Sequence, residues 1–229
     1  MTTFGLIAGG CHNAWAWDKL IPELEARGQG AVAPTLPTDD PKAGLADYVD
    51  AVAAGLAGVE RPLILVGHSM AGYYLPLAAG RVGAIRMVFL GAIVPREGLA
   101  GWEVAADNAY SNAAGGRSKV DGEGRLVVPP DLAQEILFAD ADEETADWAK
   151  SHLQAQGSGP MTEPFPVGGW PEGVPSSYVL MTDDRITEPA WARRIAREQL
   201  GTTAIELPGS HSPFMVRPGL LADTLVGLI

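Results

Sequence analysis

The stretch Leu63–Gly72, LILVGHSMAG, decides the fold that this sequence predicts. Its first four residues are apolar and suit a buried strand, and they lead into a tight turn with Ser69 at the apex. A strand, a sharp turn that carries a serine and a following helix form a nucleophile elbow, in which the helix N-terminus points at the serine. The usual pattern is G-x-S-x-G, whereas here Ala71 stands two positions after the serine and Gly72 follows. Because a methyl group is the smallest possible departure, we interpret Ala71 as a tolerated variant and Ser69 as the candidate nucleophile.

Around this elbow, short apolar runs alternate with amphipathic stretches of helical period. The predicted strands are Thr3–Ala8, Gly30–Ala33, Leu63–Gly67, Ile85–Leu90, Ser177–Met181 and Thr203–Leu207. The predicted helices between them are Trp15–Arg27, Leu45–Leu56 and Ala190–Leu200. Such alternation is typical of an α/β fold, a mostly parallel sheet covered by helices on both faces. We expect residues 1–94 and 176–229 to form this core.

The intervening residues 95–175, called the insertion below, break the alternation after the fourth strand. Within the insertion, Arg117–Arg125 is polar and Gly-rich, which indicates a loop or hairpin, while Asp131–Phe138 and Glu143–Leu153 have helical patterns. Because an insertion at the carboxyl end of the sheet would lie above Ser69, we interpret it as a small helical cap that builds a pocket. A surface subdomain with no role in binding is the alternative.

Composition excludes several classes of partner. The 229 residues include 16 basic and 28 acidic side chains, and the net charge of −12 repels nucleic acids and anionic membrane surfaces. The single cysteine, Cys11, leaves no internal disulfide and no multi-cysteine metal site. The N-terminus lacks the positive segment of a secretion signal, and no apolar run approaches the ~20 residues of a membrane span. We therefore expect a cytoplasmic protein that is a monomer or homodimer.

A serine nucleophile needs a base, normally a histidine that a carboxylate orients. In the chain order that belongs to this elbow, serine is followed by the acid and then by the histidine, so the base must come late. Of the four histidines, His211 in the loop after the last strand fits this order. Asp183 and Asp184 follow the preceding strand. We favour Asp184 as the acid, because one extra residue lets the chain turn out of the sheet, and assign Asp183 to a turn or cap hydrogen bond.

Two backbone N–H groups are needed to stabilise an oxyanion. One is expected from Met70, the residue after the nucleophile. The other is expected from Gly10, since two consecutive glycines after the first strand let the backbone approach a ligand closely. The residues expected to contact substrate are His12, Tyr73, Trp102, Phe138 and Phe165. For the last four, an ordinary place in the core is the alternative.

Four runs, AGGCHNAWAWDKLIPELEARG, LILVGHSMAG, MTDDR and GSHSPF, together resemble the α/β-hydrolase superfamily. Within it they are similar to the group of plant methyl-ester esterases, hydroxynitrile lyases and their small bacterial relatives. The resemblance spans nearly the whole chain and is weakest in the insertion. It implies the α/β-hydrolase fold, a triad of Ser69, Asp184 and His211, oxyanion donors at Gly10 and Met70, and neither metal nor organic cofactor.

Three positions depart from the patterns of that group. Ala8 replaces the histidine with which members usually begin the oxyanion loop. Gly9 and Ser212 stand where the hydroxynitrile lyases carry a threonine and a lysine, which points away from the lyase branch. The resemblance therefore implies a serine esterase that cleaves small carboxylic esters through an acyl-enzyme intermediate. Alternatives are C–C bond hydrolysis, lyase action or cofactor-free tailoring of a small metabolite on the same residues, and a ligand-binding protein with a vestigial triad.

Overall fold

The computed structural model describes residues 1–229 and contains eight strands. Their bounds are β1 Thr3–Ile7, β2 Gly30–Val32, β3 Leu63–His68, β4 Arg86–Leu90, β5 Lys119–Val120, β6 Leu126–Val127, β7 Ser176–Met181 and β8 Ile205–Leu207. Six of them form one sheet in the order β2-β1-β3-β4-β7-β8, and every neighbouring pair is parallel. The predicted parallel sheet is confirmed. Strands β5 and β6 form a separate antiparallel hairpin.

Helices cover both faces of this sheet. They are α1 Leu20–Ala26, α2 Leu45–Gly55, α3 Leu75–Val82, α4 Gly101–Val104, α5 Ala109–Arg117, α6 Pro130–Ile136, α7 Glu143–His152, α8 Gly159–Thr162, α9 Pro189–Leu200, α10 Pro213–Val216 and α11 Pro218–Val226. The continuous apolar run of β3 explains the two layers, because successive side chains of a strand point to opposite faces. Leu63 and Leu65 pack into one buried cluster, and Ile64 and Val66 pack into the other.

The predicted helix Trp15–Arg27 is wrong as a single element. A 3₁₀ turn, Ala14–Trp17, comes first, and α1 begins only at Leu20. Pro22 accounts for the break, because it has no N–H to donate to the carbonyl four residues earlier and its ring would clash there. In the first turn of α1, where no such bond is needed, the proline is tolerated.

Residues 95–175 contain α4 to α8 and the β5-β6 hairpin, so the loop or hairpin expected near Arg117–Arg125 is a hairpin. The two helices expected from the pattern are present as α6 and α7. The insertion is fastened to the core by polar contacts at its seams. One is the side chain of Glu163, which accepts a hydrogen bond from Leu45 N at the start of α2, at 2.8 Å. None of the helices combines the length and the apolar character that crossing a membrane requires.

Candidate active site

The turn after β3 has the strained geometry of a nucleophile elbow. Ser69 adopts a φ of 53°, a left-handed backbone conformation that residues other than glycine rarely adopt. Ser69 O accepts a hydrogen bond from Ile93 N at 3.1 Å, which ties the turn to the segment after β4. The glycine that this turn requires is Gly72, because a Cβ there would collide with Ile93 O and lie 2.7 Å from Ala92 Cβ. Ala71 is fully buried in the same turn.

His211 and Asp184 form a buried pair beside this turn. The Nδ1–H of His211 donates to Asp184 Oδ2 at 2.7 Å, and both side chains are 1% exposed. Asp184 Oδ1 accepts two further hydrogen bonds, from Ile186 N and Thr187 N, each 2.8 Å long. A carboxylate held in this way favours the His211 tautomer with the proton on Nδ1, which leaves Nε2 as a base. The Ser69 hydroxyl makes no hydrogen bond within the protein, and both Ser69 and His211 line the same cavity.

The structure explains why His211 meets Asp184 and not Asp183. Asp183 lies in the turn that follows β7, where its N–H donates to Gly209 O at 3.0 Å and its Oδ2 accepts from Gly209 N at 3.1 Å. Asp184 comes one residue later, where the chain turns out of the sheet and its side chain is buried. Asp183 thus has the turn hydrogen bond that its position in the sequence indicates.

His68 is a second histidine of the site and lies against His211, although no role was predicted for it from the sequence. His68 ends β3, and its Nε2–H donates to His211 O at 3.0 Å. The two ring centroids are 4.5 Å apart. Burial lowers the pKa of His68 well below its usual value, and the nearby His211 acts in the same direction. His68 therefore stays neutral and holds the backbone of the loop that carries His211. Its position directly before Ser69 in the elbow was the sequence feature that could have indicated this role.

The loop after β1 packs against the elbow and is also strained. Cys11 adopts a φ of 62°, and its N–H donates to Gln156 Oε1 at 3.1 Å. The N–H of Gly10 makes no hydrogen bond within the protein, and Gly10 lines the cavity beside Met70. Burial raises the pKa of the Cys11 thiol to about 12, so the thiol is protonated and a poor nucleophile. The loop thus offers a backbone donor to the cavity and no second nucleophile.

His12 follows this loop and lines the cavity. Its Nδ1–H donates to Gly10 O at 2.8 Å, and its ring stacks on Trp15 with centroids 5.3 Å apart. Burial lowers the pKa of His12 to about 4. The ring is therefore neutral near pH 7, and it holds the carbonyl of the peptide between Gly10 and Cys11, whose N–H donates to Gln156.

One cavity of about 290 Å³ joins these groups. Ser69, His211, Gly10 and Met70 line its sheet side. The insertion supplies the opposite wall, whose larger apolar residues are Trp102, Val120, Leu126, Val128, Ile136, Leu137 and Met161. No lysine, arginine, aspartate or glutamate lines the cavity, although the chain carries a net charge of −12. The cavity therefore suits an uncharged molecule.

Three of the five residues expected to contact substrate do not line the cavity. His12 and Trp102 do, whereas Tyr73, Phe138 and Phe165 are fully buried in the core. The Tyr73 hydroxyl lies 2.7 Å from Leu99 O and 2.8 Å from Glu163 O, both in the insertion. Phe165 packs against Tyr73, with centroids 5.9 Å apart, and Phe138 packs against His12 at 6.0 Å. These rings fill the seams between the core and the insertion, where burying a large apolar surface is favourable.

Two polar residues of the insertion form hydrogen bonds to loops of the site, and no pattern in the sequence predicts these contacts. Gln156 accepts from Cys11 N and donates through Nε2 to the Tyr48 hydroxyl at 2.8 Å. Asn108 donates through Nδ2 to Ile186 O at 3.0 Å, within the turn that presents Asp184. Both are buried. Single polar residues in an irregular segment have no periodicity, so only the folded chain reveals their partners.

Comparison with known proteins agrees with this fold. Residues 6–224 match the model of the Alpha/beta hydrolase family. The chain is 27% identical over 243 aligned positions to the pyrethroid hydrolase of Sphingobium wenxiniae. This alignment covers 98% of this chain and 86% of that protein. It is 35% identical over 105 positions to esterase PIR7B of Oryza sativa subsp. japonica, over 40% of this chain and 39% of that protein. The crystal structure of a pyrethroid hydrolase from Sphingobium faniae superposes with a TM-score of 0.84 at 24% identity, covering 99% of this chain and 96% of that one.

Proposed function

This chain belongs to the alpha/beta hydrolase family, and on that premise we propose that it hydrolyses small, uncharged carboxylic esters through a Ser69-bound acyl intermediate. The main support is the buried 2.7 Å hydrogen bond between His211 and Asp184, beside the neutral cavity that Ser69 also lines. The relatives named pyrethroid hydrolase and esterase are consistent with ester cleavage.

In the proposed reaction, His211 Nε2 takes the hydroxyl proton of Ser69 as Oγ attacks the ester carbonyl carbon. The N–H groups of Gly10 and Met70 donate to the oxyanion of the tetrahedral intermediate. The intermediate collapses as the His211 imidazolium returns its proton to the departing alcohol. Water then attacks the acyl-serine with His211 again as the base, which releases the acid and restores Ser69. Asp184 orients His211 and stabilises its charged form throughout.

The neighbouring histidines favour this proton transfer because they stay neutral. Burial lowers the pKa of His12 to about 4, and it lowers that of His68 well below the usual value. No second imidazolium therefore repels the charge that forms on His211 near pH 7. Each of the two rings instead donates to a backbone carbonyl of the site, His12 to Gly10 O and His68 to His211 O.

We assign residues 95–175 the role of a cap that selects the substrate. Apolar side chains dominate its contribution to the cavity, and none of its lining residues is charged. A substrate carboxylate would lose its hydration there without gaining a cationic partner, which is unfavourable. Neutral esters should therefore be hydrolysed in preference to anionic ones.

Hydrolysis is also favoured over cyanohydrin cleavage by the surroundings of the nucleophile. A Cβ at Gly9 would lie 2.7 Å from His68 Nδ1 and 2.8 Å from Ser69 Cβ, so this backbone leaves no room for a side-chain hydroxyl. Ser212 is fully buried and supplies no cation for a cyanide leaving group. We expect acid release from a simple aryl ester to exceed cyanide release from mandelonitrile.

The direct test of the proposed function is Ser69→Ala, assayed with p-nitrophenyl butyrate. We expect kcat to fall at least about a thousandfold with unchanged thermal unfolding, because the variant lacks the nucleophile. A p-nitrophenyl phosphonate should label wild-type Ser69, as located by peptide mass spectrometry. Ser151→Ala, at an exposed position on α7, is the matched control and should keep full activity. Substantial turnover by pure Ser69→Ala would remove Ser69 from the mechanism, and faster Ser69-dependent cyanide release would replace the esterase by a lyase.

A further inference from the structure

Asp140 connects the insertion to the loop that carries His211. It lies between α6 and α7, and its Oδ1 accepts a hydrogen bond from the hydroxyl of Ser210. Its Oδ2 is paired with Arg217, which lies between α10 and α11. Ser210 directly precedes His211 in the chain. A carboxylate of the insertion is thus one residue away from the base of the proposed triad.

From this arrangement we propose that Asp140 is a positioning residue, which holds His211 in alignment with Ser69 through Ser210. The inference rests on the proposed function, because it assigns His211 the role of base. Asp140 touches none of the reacting groups. It acts by constraining the backbone that presents the imidazole.

Burial makes this contact important for the loop. Ser210 is 2% exposed, so its hydroxyl cannot exchange Asp140 for bulk water without movement of the chain. Partial burial acts to raise the pKa of Asp140, but hydrogen bonds from Ser210 and Arg217 outweigh it and hold the pKa below its usual value. Asp140 is therefore an ionised acceptor at neutral pH, and hydrogen bonds to ionised acceptors are about twice as strong as neutral ones.

The other anchors of this loop come from the core. Gly209 exchanges two hydrogen bonds with Asp183, and His211 O accepts from His68. Among the contacts of these three consecutive residues, the Ser210 side chain supplies the polar link to the insertion. Asp140 therefore couples the position of the insertion on the core to the position of His211.

The same part of the insertion also forms the cavity wall. Ile136 and Leu137 line the cavity shortly before Asp140 in the chain. A substrate that packs against this wall presses on the segment that holds Ser210. Such an arrangement links substrate contact to the alignment of the base, and small misalignments of reacting groups cost large factors in rate.

Steady-state kinetics of Asp140→Ala and Ser210→Ala with p-nitrophenyl butyrate test the inference. We expect each to lower kcat about tenfold and to leave KM within about twofold, because alignment is lost while the cavity is kept. The double variant should be no worse than Asp140→Ala alone, since the contact that Ser210→Ala removes is already lost without the Asp140 carboxylate. Asp140→Asn should recover most of the rate, because its amide oxygen can still accept from Ser210. The rate of phosphonate labelling of Ser69 should follow the same order.

Glu135→Gln is the matched control, because Glu135 lies on α6 in an exposed ion pair with Arg117 and should leave kcat unchanged. A folded Asp140→Ala or Ser210→Ala with wild-type kcat and labelling rate would overturn the inference. Multiplied losses in the double variant, or an equal loss in Glu135→Gln, would do the same. Ser69→Ala separates the two proposals: its retained turnover refutes the esterase mechanism, whereas the labelling rate of Ser69 still reports on alignment by Asp140.

Discussion

The sheet side and the insertion side of the cavity differ in how their backbones are constrained. Both non-glycine residues with positive φ, Cys11 and Ser69, lie on the sheet side. Such conformations cost about 1–3 kcal/mol each and persist only where the surrounding structure enforces them. On the insertion side, α5 contains Gly115 and Gly116, where an added Cβ would meet nothing within 4 Å. Both glycines lie in the last turn of α5, and a glycine weakens a helix by up to about 1 kcal/mol relative to alanine.

This difference indicates that the two sides serve different purposes. Close contacts and buried hydrogen bonds hold the groups of the proposed chemistry in one geometry. The cavity wall that the insertion supplies consists mostly of apolar and small residues, which tolerate change more easily. Substitutions on the sheet side should therefore change kcat strongly, and substitutions of the insertion residues that line the cavity should change KM moderately.

The largest effect is expected at the carboxylate. Asp184→Asn should lower kcat/KM about 10³- to 10⁴-fold, because an amide favours the wrong tautomer of His211 and does not stabilise the imidazolium. Asp183→Asn, one residue earlier, should lower it less than about threefold, since Asp183 is exposed and bonds Gly209. Ester hydrolysis by the two variants gives the comparison. The opposite ranking would show that Asp183 is the acid.

Two substitutions of Gly10 distinguish the role of its N–H group as a hydrogen-bond donor from the need for a residue without a side chain at this position. Gly10→Pro removes the N–H and should lower kcat about 10²- to 10³-fold. Gly10→Ala keeps the N–H, and its Cβ would lie an ordinary 3.6 Å from Met70 Sδ, so most activity should remain. Kinetics with an aryl ester distinguish the two. Equal losses in both variants would indicate that side-chain space, and not the N–H group, matters at this position.

The buried histidines of the sheet side predict a pH dependence of stability. The pKa of His12 is about 4 in the folded chain against 6.5 in the unfolded chain, and that of His68 is also lowered. Between these values the unfolded state binds more protons, so the free energy of unfolding should fall as the pH drops below about 6.5. The slope is up to about 1.4 kcal/mol per pH unit for each histidine. Urea unfolding between pH 7 and pH 4.5 measures it, and His12→Asn should flatten it. An unchanged slope in that variant would contradict a neutral, buried His12.

The smallest effect is expected on the insertion side. Trp102 lines the cavity and is 50% exposed, so Trp102→Ala should raise KM for aryl esters about three- to tenfold and leave kcat within about twofold. Tyr110→Ala is the control, because Tyr110 is 44% exposed on the neighbouring α5 and does not line the cavity. A large loss of kcat in Trp102→Ala would mean that the cavity wall, and not only Asp140, contributes to the chemistry.

Much of the fold can be predicted from local sequence patterns, because backbone geometry relates each pattern to a strand, a helix or a turn. The continuous apolar run of β3 reflects constraints within a few residues, and so does the break before α1 that the helical pattern alone did not predict. Asp184 could be preferred to Asp183 for the same reason, since the end of a strand determines where successive side chains point. The sequence left a pocket wall and the core open for Tyr73, Phe138 and Phe165, because aromatic residues suit both equally well, and the structure places all three in the core.

The sequence by itself determined the parallel sheet, the elbow at Ser69 and the order of the chemical groups along the chain, because each depends on short-range periodicity or turn chemistry. Only the tertiary structure decided which side chains support them. Gln156 reaches Cys11 across 145 positions, His68 reaches His211 across 143, and Asp140 reaches Ser210 across 70. Such contacts depend on how separate segments pack in three dimensions, and no pattern within a single segment contains that information.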